Sequence, residues 1–314
     1  MKENEGRDGM RQIRTDMALE ASQAAGSIPG VHVSQWNEES VSITEVRVET
    51  EEAAERLGKS VGTYLTLECE GVRRRDPAAR EEVQNVLGEE IARLLPPDEQ
   101  GAPVLVVGLG NRRVTPDSLG PKTVDGTLVT RHLLRELPDK VDERLNPVCA
   151  IAPGVMGATG LETMETVRAL VKEIHPRCLI VIDSLAARAS ARVGVSIQLS
   201  DTGIQPGSGV GNHRRALNER ELGVRVLALG MPTVVYAVTI ARDALEILGE
   251  GETNPAALDE VTKSLFENEI GEMIVTPREV DDMIDDAAQM LAGGINRALQ
   301  TALSPEEIAG LGRA

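Results

Sequence analysis

Two aspartates follow apolar runs of the sequence, at positions where a carboxylate could act on a substrate. Asp117 lies in the segment GLGNRRVTPDSLGP, which continues from the apolar run Val104–Gly110, and Asp183 ends the apolar run Cys178–Asp183. An ionised carboxylate next to buried apolar residues is costly unless it is paired or functional. Two neighbouring carboxylates can share one proton, because repulsion raises the pKa of one while the other stays ionised. Such a pair can activate water as a base and protonate a leaving amine as an acid, and hydrolysis of a peptide bond needs both actions.

Four loops rich in glycine, proline, serine and asparagine follow the candidate strands. Glycine lets backbone N–H groups come close to a bound chain, so loops of this composition suit an extended peptide. The residues that we expect from these loops at a substrate-binding site are Asn111, Gly154, Gly207, Gly209 and His213.

Other roles for the same residues stay open. Asp117 follows Pro116 and could form a turn, and Asp183 could cap the next helix, because aspartate is favoured at both kinds of position. A dinucleotide site is disfavoured, since Arg113 stands where the GxGxxG fingerprint has its third glycine. His213 and two aspartates could ligate a metal ion, but the sequence has no HxxxH or HExxH pattern. We therefore predict neither a cofactor nor a metal.

The elements that must position these residues alternate between strand and helix after residue 100. Buried strands are predicted over Val104–Gly110, Val148–Gly154, Cys178–Asp183 and Val224–Gly230, and an edge strand or hairpin over Val193–Asp201. Helices are predicted over Thr123–Leu137, Leu161–Ile174, Val235–Leu248, Ala256–Asn268 and Pro277–Leu299. This alternation indicates an α/β fold with a mostly parallel twisted sheet and helices on both faces. Ligands bind such sheets beyond the carboxyl ends of the strands, where both aspartates lie.

The part before residue 100 predicts a small N-terminal α+β portion that packs on the main sheet. Its alternating segments Val41–Thr50 and Tyr64–Val72 predict half-buried strands. Between them a short helix is closed by Gly58, and a longer helix is capped by Asp76. Residues 1–30 are polar and weakly periodic, which is typical of a mobile tail.

Composition narrows the class of partner. The net charge is -17 and no run of lysine and arginine is present, so a nucleic-acid partner is not expected. No apolar run reaches membrane-spanning length, and the polar N-terminus is unlike a secretory signal. The three cysteines form no CxxC pair, which predicts reduced thiols in a cytoplasmic protein.

Eight stretches of the sequence resemble the germination protease family of spore-forming bacteria. In order they are IRTDMALE, VVGLGNRRVTPDSLGP, VTRHL, APGVMGATGLET, IDSLAAR, QLSDTGIQPGSGVGNHR, MPTVV and MIVTPREVDDMI. They run from Ile13 to Ile284, and several are too long and unusual for chance to account for them. The resemblance implies an endopeptidase that begins the degradation of small acid-soluble spore proteins at germination.

The resemblance also implies how the enzyme is made and where it works. Members of the family are made as inactive precursors that remove a short N-terminal segment, and they form homotetramers in the cytoplasm of the spore core. Residues 1–16 would then be a propeptide, and residues 17–314 a single α/β peptidase domain. The fold is expected to resemble that of the hydrogenase-maturation endopeptidases.

Site residues follow from the matching motifs. The aspartates of the TPD and ID segments, Asp117 and Asp183, correspond to the proposed catalytic pair of the family. The self-cleavage motif is matched by residues 14–20 (RTDMALE), which places the cut between Asp16 and Met17. The resemblance also implies a preference for an acidic residue before the cut and an apolar residue after it, and Asp16 and Met17 fit this preference.

An acidic residue before the cut needs a cation in a chain that is otherwise acidic. Four arginines follow the third and fourth site segments: Arg188, Arg192, Arg214 and Arg215. We predict that one of them binds that carboxylate, since arginine makes bidentate contacts with carboxylates. The alternative is that they form ordinary surface ion pairs.

Two other functions compete with this interpretation. One is a metal-dependent maturation endopeptidase of similar fold, and the other is a non-catalytic module that binds a peptide or a nucleotide. Self-processing that creates a new N-terminus at Met17 would separate the predicted protease from both.

Overall fold

A computed structural model of the chain describes residues 15–98, 101–205, 215–248 and 273–311. Within these ranges the strands are β1 (Val31–Glu38), β2 (Val41–Val48), β3 (Gly62–Glu68), β4 (Val104–Gly108), β5 (Val148–Ile151), β6 (Cys178–Ala187), β7 (Ser196–Ser200), β8 (Arg225–Tyr236) and β9 (Ile274–Val275). They form one sheet in the spatial order β1-β2-β3-β7-β8-β6-β4-β5, and β9 pairs with β8.

The helices of the same ranges lie on both sides of this sheet. They are α1 (Ala18–Ala25), α2 (Glu51–Leu57), α3 (Glu70–Arg73), α4 (Pro77–Leu94), α5 (Leu119–Asp125), α6 (Arg131–Glu136), α7 (Met156–Thr159), α8 (Thr163–Ile174), α9 (Glu219–Leu222), α10 (Ala237–Leu248), α11 (Val280–Leu299) and α12 (Pro305–Leu311). Of these described helices, none combines the length and the apolar character needed to cross a membrane.

The predicted α/β architecture is confirmed, and the sheet is mixed. Strands β5, β4, β6 and β8 run parallel to one another. Strands β1, β2, β3 and β7 continue the same sheet with antiparallel pairings, and β7 is antiparallel to β8. The N-terminal α+β portion is therefore an extension of the main sheet.

Alternating side chains of the central strands build a core on each face of the sheet. In β4, Val104 and Val106 point into the core that also contains Leu87 of α4 and Leu291 of α11. The intervening residues of β4 belong to the opposite core, which packs on α8. This alternation is the expected consequence of the two-residue period of a strand buried on both faces.

Two helix ends follow the rules of local sequence. The Asp76 side chain accepts a hydrogen bond from Ala78 N–H at 3.0 Å and so caps α4, whose first residue is Pro77. Gly58 ends α2 with a left-handed backbone (φ +69°) that favours glycine. Both ends agree with the prediction.

The prediction of a mobile tail over residues 1–30 is wrong for its second half. Residues 18–25 form α1, and Met17 and Ala18 are fully buried. The apolar pattern of this helix is weak in the sequence because many of its side chains are alanine or serine. The helix is stabilised by packing on β2 and α2. Residues 1–14 lie outside the described ranges. Strand β1, which follows the tail, was not predicted, because it is an edge strand with mostly exposed side chains.

Strands β6 and β8 continue well beyond their predicted ends. Their parallel pairing runs from Cys178 opposite Arg225 to Ala187 opposite Val235, with an irregularity at Leu185. Asp183 therefore lies inside a strand, and the alternative that it caps the next helix is wrong. The predicted strand ended at Asp183 because the apolar run ends there. Pairing with β8 extends the observed strand by four residues.

The helix predicted over Thr123–Leu137 is divided into α5 and α6. Gly126 follows the end of α5, and the Thr127 hydroxyl donates to the Thr123 carbonyl at 2.9 Å. This local bonding ends the first helix before the second begins at Arg131. The predicted helix Ala256–Asn268 lies outside the described residues.

Candidate active site

A cleft of about 590 Å³ lies beside β6, β7 and β8. It is lined by residues of these strands and by the loops that follow β4 and α2. Asp16, Asp117 and Asp183 all line it, so the structure brings three of the carboxylates singled out in the sequence to one place.

Asp183 is carried by β6 at the centre of the sheet. It lies two residues after Val181, so both point to the face that packs on α8. The residue is 8% exposed, and the Ser184 N–H donates to the Asp183 Oδ1 at 2.9 Å. A carboxylate at this depth is held by a strand that is hydrogen-bonded on both edges, which fixes its position.

Asp117 reaches the cleft through the loop after β4. The Leu109 N–H donates to the Ile182 carbonyl at 2.8 Å, which continues the pairing of β4 with β6 up to the residue before Asp183. The loop then returns, and Asn111 N–H donates to the Asp117 carbonyl at 2.8 Å. The loop thus sets Asp117, which is the last residue of a short 3-10 turn, next to the strand that carries Asp183.

Gly110 makes this return possible. Its φ of +113° is in the region that favours glycine, and a Cβ at this position would overlap the Asp117 carbonyl. The glycine of the motif is therefore required for the close approach of the two chain segments. Asn111, predicted to bind substrate, also accepts from the Arg113 N–H through its Oδ1 at 3.0 Å and so shapes the same loop.

The segment Thr15–Glu20 reaches the cleft at Asp16. The Asp16 N–H donates to the Ala186 carbonyl at 3.0 Å, and the Ala186 N–H donates to the Asp16 Oδ2 at 2.9 Å. The end of β6 therefore binds both the backbone and the side chain of Asp16. This is the residue that the sequence places before the predicted cut.

Two side chains donate to the Asp16 carbonyl oxygen. Lys59 Nζ lies 2.8 Å from it, and Gln198 Nε2 lies 3.1 Å from it. Gln198 also accepts from the Ala18 N–H through its Oε1 at 2.6 Å. One side-chain amide therefore holds the chain on both sides of the Asp16–Met17 bond.

Lys59 is embedded among these groups. Its Nζ also donates to the Thr15 carbonyl at 3.1 Å. Burial lowers the pKa of the Lys59 ammonium from its ordinary value, while the charges of Asp16 and Glu20 raise it. Burial is the larger of these effects.

Residues after the predicted cut are anchored more deeply than those before it. Met17 and Ala18 are fully buried, and the Glu20 side chain accepts from Arg188 N–H at 2.6 Å and Ala189 N–H at 2.9 Å. It also accepts from the Arg192 Nη1 at 3.1 Å and from the Thr15 hydroxyl. Glu20 is thus a buried, charge-paired carboxylate that sets the register of the segment.

The predicted arginines have different surroundings. The Arg192 guanidinium binds Glu20, four residues after Asp16, and donates from Nε to Glu68 at 3.1 Å. Arg188 contributes its backbone N–H to Glu20. Arg215 lies 3.7 Å from Glu221. Arg214, Gly207, Gly209 and His213 lie outside the described residues.

Gly154 follows β5 with a φ of +76°, a conformation that favours glycine. Its Cβ position would contact Thr159, the last residue of α7, at 3.3 Å. The residue therefore shapes the turn between β5 and α7, and its predicted contact with substrate stays a prediction.

Sequence reasoning missed the residues that hold Asp16, namely Lys59, Ala186 and Gln198. Gln198 is in a stretch that resembles the family, but its place in the alternating pattern of β7 gave no reason to select it. Lys59 follows the glycine that ends α2, and no motif in the sequence marks this position as functional. In the described part of the chain, no three His, Cys, Asp or Glu side chains are grouped as ligands of one metal ion.

Comparison with known proteins places this site in a family. A model of the germination protease family matches residues 9–265 of the chain. The germination protease of Clostridium acetobutylicum is 42% identical over 322 residues, which cover 95% of this chain and 98% of that protein. The relative from Clostridium tetani is 40% identical, with 94% and 98% covered, and the one from Bacillus mycoides is 39% identical, with 91% and 93% covered.

A solved structure, the NiFe hydrogenase maturation protease HycI from Thermococcus kodakarensis KOD1, is 12% identical to the chain. It covers 62% of this chain and 92% of its own, with a TM-score of 0.30, which is too low to support an argument about fold or function. The family match and the relatives span nearly the whole chain. The chain therefore belongs to the germination protease family and is a peptidase.

Proposed function

We propose that this protein is an endopeptidase that cuts itself between Asp16 and Met17 and then begins the degradation of small acid-soluble spore proteins during germination. Asp117 and Asp183 are its acid–base pair in this proposal. The observation that carries it is the position of Asp16, which lines the same cleft as both aspartates and is hydrogen-bonded to the end of β6.

The arrangement suits hydrolysis of a peptide bond without a covalent intermediate. One aspartate, as carboxylate, takes a proton from water, and the other, as carboxylic acid, gives a proton to the leaving nitrogen. Asp183 is nearly buried, and two neighbouring carboxyl groups that share one proton divide these two roles between them. A pair of this kind titrates as a unit, so the two roles belong to the pair.

Asp16, before the predicted cut, is held as one residue of an extended substrate chain would be, whereas the chain is helical from Ala18 onward. The Asp16 N–H donates to the Ala186 carbonyl, as a residue of a strand added at the end of β6 would. Disordered spore proteins could bind in the same way, since main-chain hydrogen bonds do not depend on side-chain identity. Residues 1–16 would be the propeptide, and residues 17–314 the peptidase domain.

Acidic selectivity before the cut is part of the proposal. The Ala186 N–H and the nearby charge of Lys59 favour a carboxylate at the position of Asp16. Arg192 would select a second carboxylate four residues later, at the position of Glu20. The prediction that an arginine binds the carboxylate before the cut remains a prediction for Arg188, Arg214 and Arg215.

The setting of the enzyme follows the family resemblance. We infer a homotetramer in the spore core, with protein substrates and without direct nucleic-acid binding. The formal charge of -17 supports the last point, because such a chain repels nucleic acid.

The self-processing reaction tests the proposal directly. The full-length protein is incubated, and new N-termini are sequenced over time. A chain that begins at Met17 is expected, and Asp117→Asn or Asp183→Asn should slow its appearance by roughly 10²–10⁴-fold, which is the usual contribution of acid–base catalysis. Asp139→Asn, an exposed aspartate outside the cleft, is the matched control.

Two results would contradict the proposal. One is a new terminus at another bond, and the other is unchanged processing in both cleft variants. Loss of processing on chelation, together with metal bound to the pure wild-type protein, would instead favour a metal-dependent endopeptidase.

A further inference from the structure

Two hydrogen-bond donors converge on one carbonyl oxygen, that of Asp16, in the bond predicted to be cut. We propose that Lys59 is a catalytic residue, which stabilises the negative charge that develops on this oxygen, and that Gln198 is its partner donor. The inference rests on the proposed function of the cleft. It adds stabilisation of the charge on the carbonyl oxygen to the acid–base catalysis proposed for Asp117 and Asp183.

Charge makes Lys59 the stronger candidate of the two donors. Among the described residues that line the cleft, Lys59 carries the one cationic side chain, whereas Asp16, Asp117 and Asp183 contribute carboxylates. Negative charge developing next to three acidic groups would be strongly unfavourable without a cation. Donors aimed at developing charge in a site that excludes water are usually the largest contribution to catalysis.

The fold holds Lys59 rigidly at this place. The left-handed Gly58 ends α2, and the Lys59 N–H then donates to the Ala54 carbonyl at 3.2 Å. The side chain extends from this fixed turn to the carbonyls of both Thr15 and Asp16. A preorganised donor of this kind needs no rearrangement when charge develops.

Gln198 comes from a strand of the sheet. It lies in the middle of β7, opposite Thr66 of β3 and Gly230 of β8. Its amide bonds to Asp16 and Ala18 fix the plane of the peptide bond between Asp16 and Met17. The carbonyl oxygen of this bond therefore accepts from two side chains that come from different parts of the chain.

The step balances as a simple hydrolysis. The water oxygen bonds to the Asp16 carbonyl carbon as one catalytic aspartate takes a proton, and the C=O electron pair moves to oxygen beside Lys59 and Gln198. The pair then returns, the C–N bond to Met17 breaks, and the nitrogen receives a proton from the other aspartate. The products are a carboxyl group on Asp16 and an amine on Met17.

The alternative is that Lys59 only anchors the uncut segment. An interaction made equally in the ground state and the transition state changes KM and leaves kcat unaltered, whereas one that strengthens in the transition state changes kcat. Separate values of kcat and KM therefore distinguish the two roles.

The experiment uses wild type, Lys59→Met and the control Lys172→Met, whose lysine is exposed on α8. Conversion of each full-length chain to the form beginning at Met17 is followed first. Each chain is then produced from Met17 onward and assayed on a synthetic peptide containing Thr-Asp-Met-Ala-Leu-Glu. Lys59→Met is expected to lower kcat by roughly 10²–10³-fold, as loss of one oxyanion donor does, with a smaller change in KM. The control should match wild type.

Chemical rescue is a second measurement. Rescue that requires a cation is expected only if the charge of Lys59 acts in catalysis. Lys59→Ala should regain activity with added ethylammonium, which restores the charge, and not with ethanol, which is similar in size and neutral. Rescue also covers the case in which Lys59→Met folds poorly.

Four outcomes are decisive. An unchanged kcat with a raised KM in Lys59→Met overturns the inference, as does equal rescue of Lys59→Ala by ethanol. Failure of the wild-type chain to cut at Met17 overturns the proposed function itself. Wild-type cutting with normal cutting by Lys59→Met overturns only the role of Lys59.

Discussion

Glu20 is a buried carboxylate whose partners all come from the segment it anchors or from the stretch of chain after β6. The Arg192 guanidinium and two backbone N–H groups satisfy it, so the segment can dock in one register. A shift by one residue would bury this charge without partners, which costs several kcal/mol. The position of Asp16 in the cleft thus depends on a residue four positions away.

Glu20→Gln and Arg192→Gln are each expected to slow self-processing roughly ten- to a hundredfold, because hydrogen bonds to charged groups contribute about 1.5–3 kcal/mol. The double variant should be little slower than either single one, since both remove the same interaction. Rates of appearance of the Met17 terminus measure this. Arg47→Gln, which breaks an exposed pair with Glu45, is the control, and additive losses in the double variant would contradict the coupling.

At the same scale, the sequence pointed to the two aspartates that line the cleft and missed the donors to Asp16. Asp117 comes after the apolar run of β4 and Asp183 ends the apolar run of β6, so the rule for α/β sheets put them at one edge. Gln198 lies in the antiparallel strand β7 and Lys59 in the turn before β3, and nothing local predicts where this part of the chain lies relative to β6. Long-range pairing of β7 with β8 decides their position.

Close packing at the start of α5 couples this helix to both strands of the site. A Cβ on Gly120 would overlap the Leu109 carbonyl and lie 2.7 Å from the Ile182 carbonyl. The helix therefore touches the backbones of β6 and of the loop after β4. That contact fixes the loop that presents Asp117.

Gly120→Ala is expected to destabilise the protein by about 1–3 kcal/mol, as overpacking does, and to slow self-processing as the Asp117 loop is displaced. Urea denaturation and the rate of the Met17 cut measure the two effects. Gly310→Ala in α12 is the matched control, because its Cβ position meets no atom within 4 Å, and it should be neutral or stabilising by roughly 0.5–1 kcal/mol. Equal effects of both substitutions would contradict the packing argument.

Elements were predictable where local rules dominate. The cap at Asp76 and the glycine at Gly58 set two helix ends, and apolar runs located β4, β5, β6 and β8. The ends of β6 and β8 were not predictable, because mutual pairing extends both strands past their apolar runs. Strand β1 exists because β2 provides a partner, and its mostly exposed side chains leave little pattern to detect.

At the scale of the whole molecule, the first 16 residues and the cleft are parts of one chain. A tethered segment has an effective concentration in the millimolar range, so an external peptide must compete with it. The uncut protein should therefore bind external peptides poorly, whatever its chemical competence.

The chain produced from Met17 is expected to hydrolyse the peptide Thr-Asp-Met-Ala-Leu-Glu with a kcat/KM at least about tenfold higher than the uncut Asp16→Asn protein. Ala18→Asp should raise the activity of that uncut protein toward the peptide, since a charge at a fully buried position undocks the segment. Ala24→Asp on the exposed side of α1 is the control. Equal kcat/KM for the cut and uncut forms would show that the segment does not block the cleft.

The burial of Met17 and Ala18 has one more consequence. The proposed cut before Met17 would create one fragment that can diffuse away and one end that stays attached to the body of the enzyme through α1. The new amino terminus would then stay next to the former place of Asp16 in the cleft. A foreign protein chain would have to displace this end, so we expect turnover on such chains to depend on how easily α1 detaches from β2.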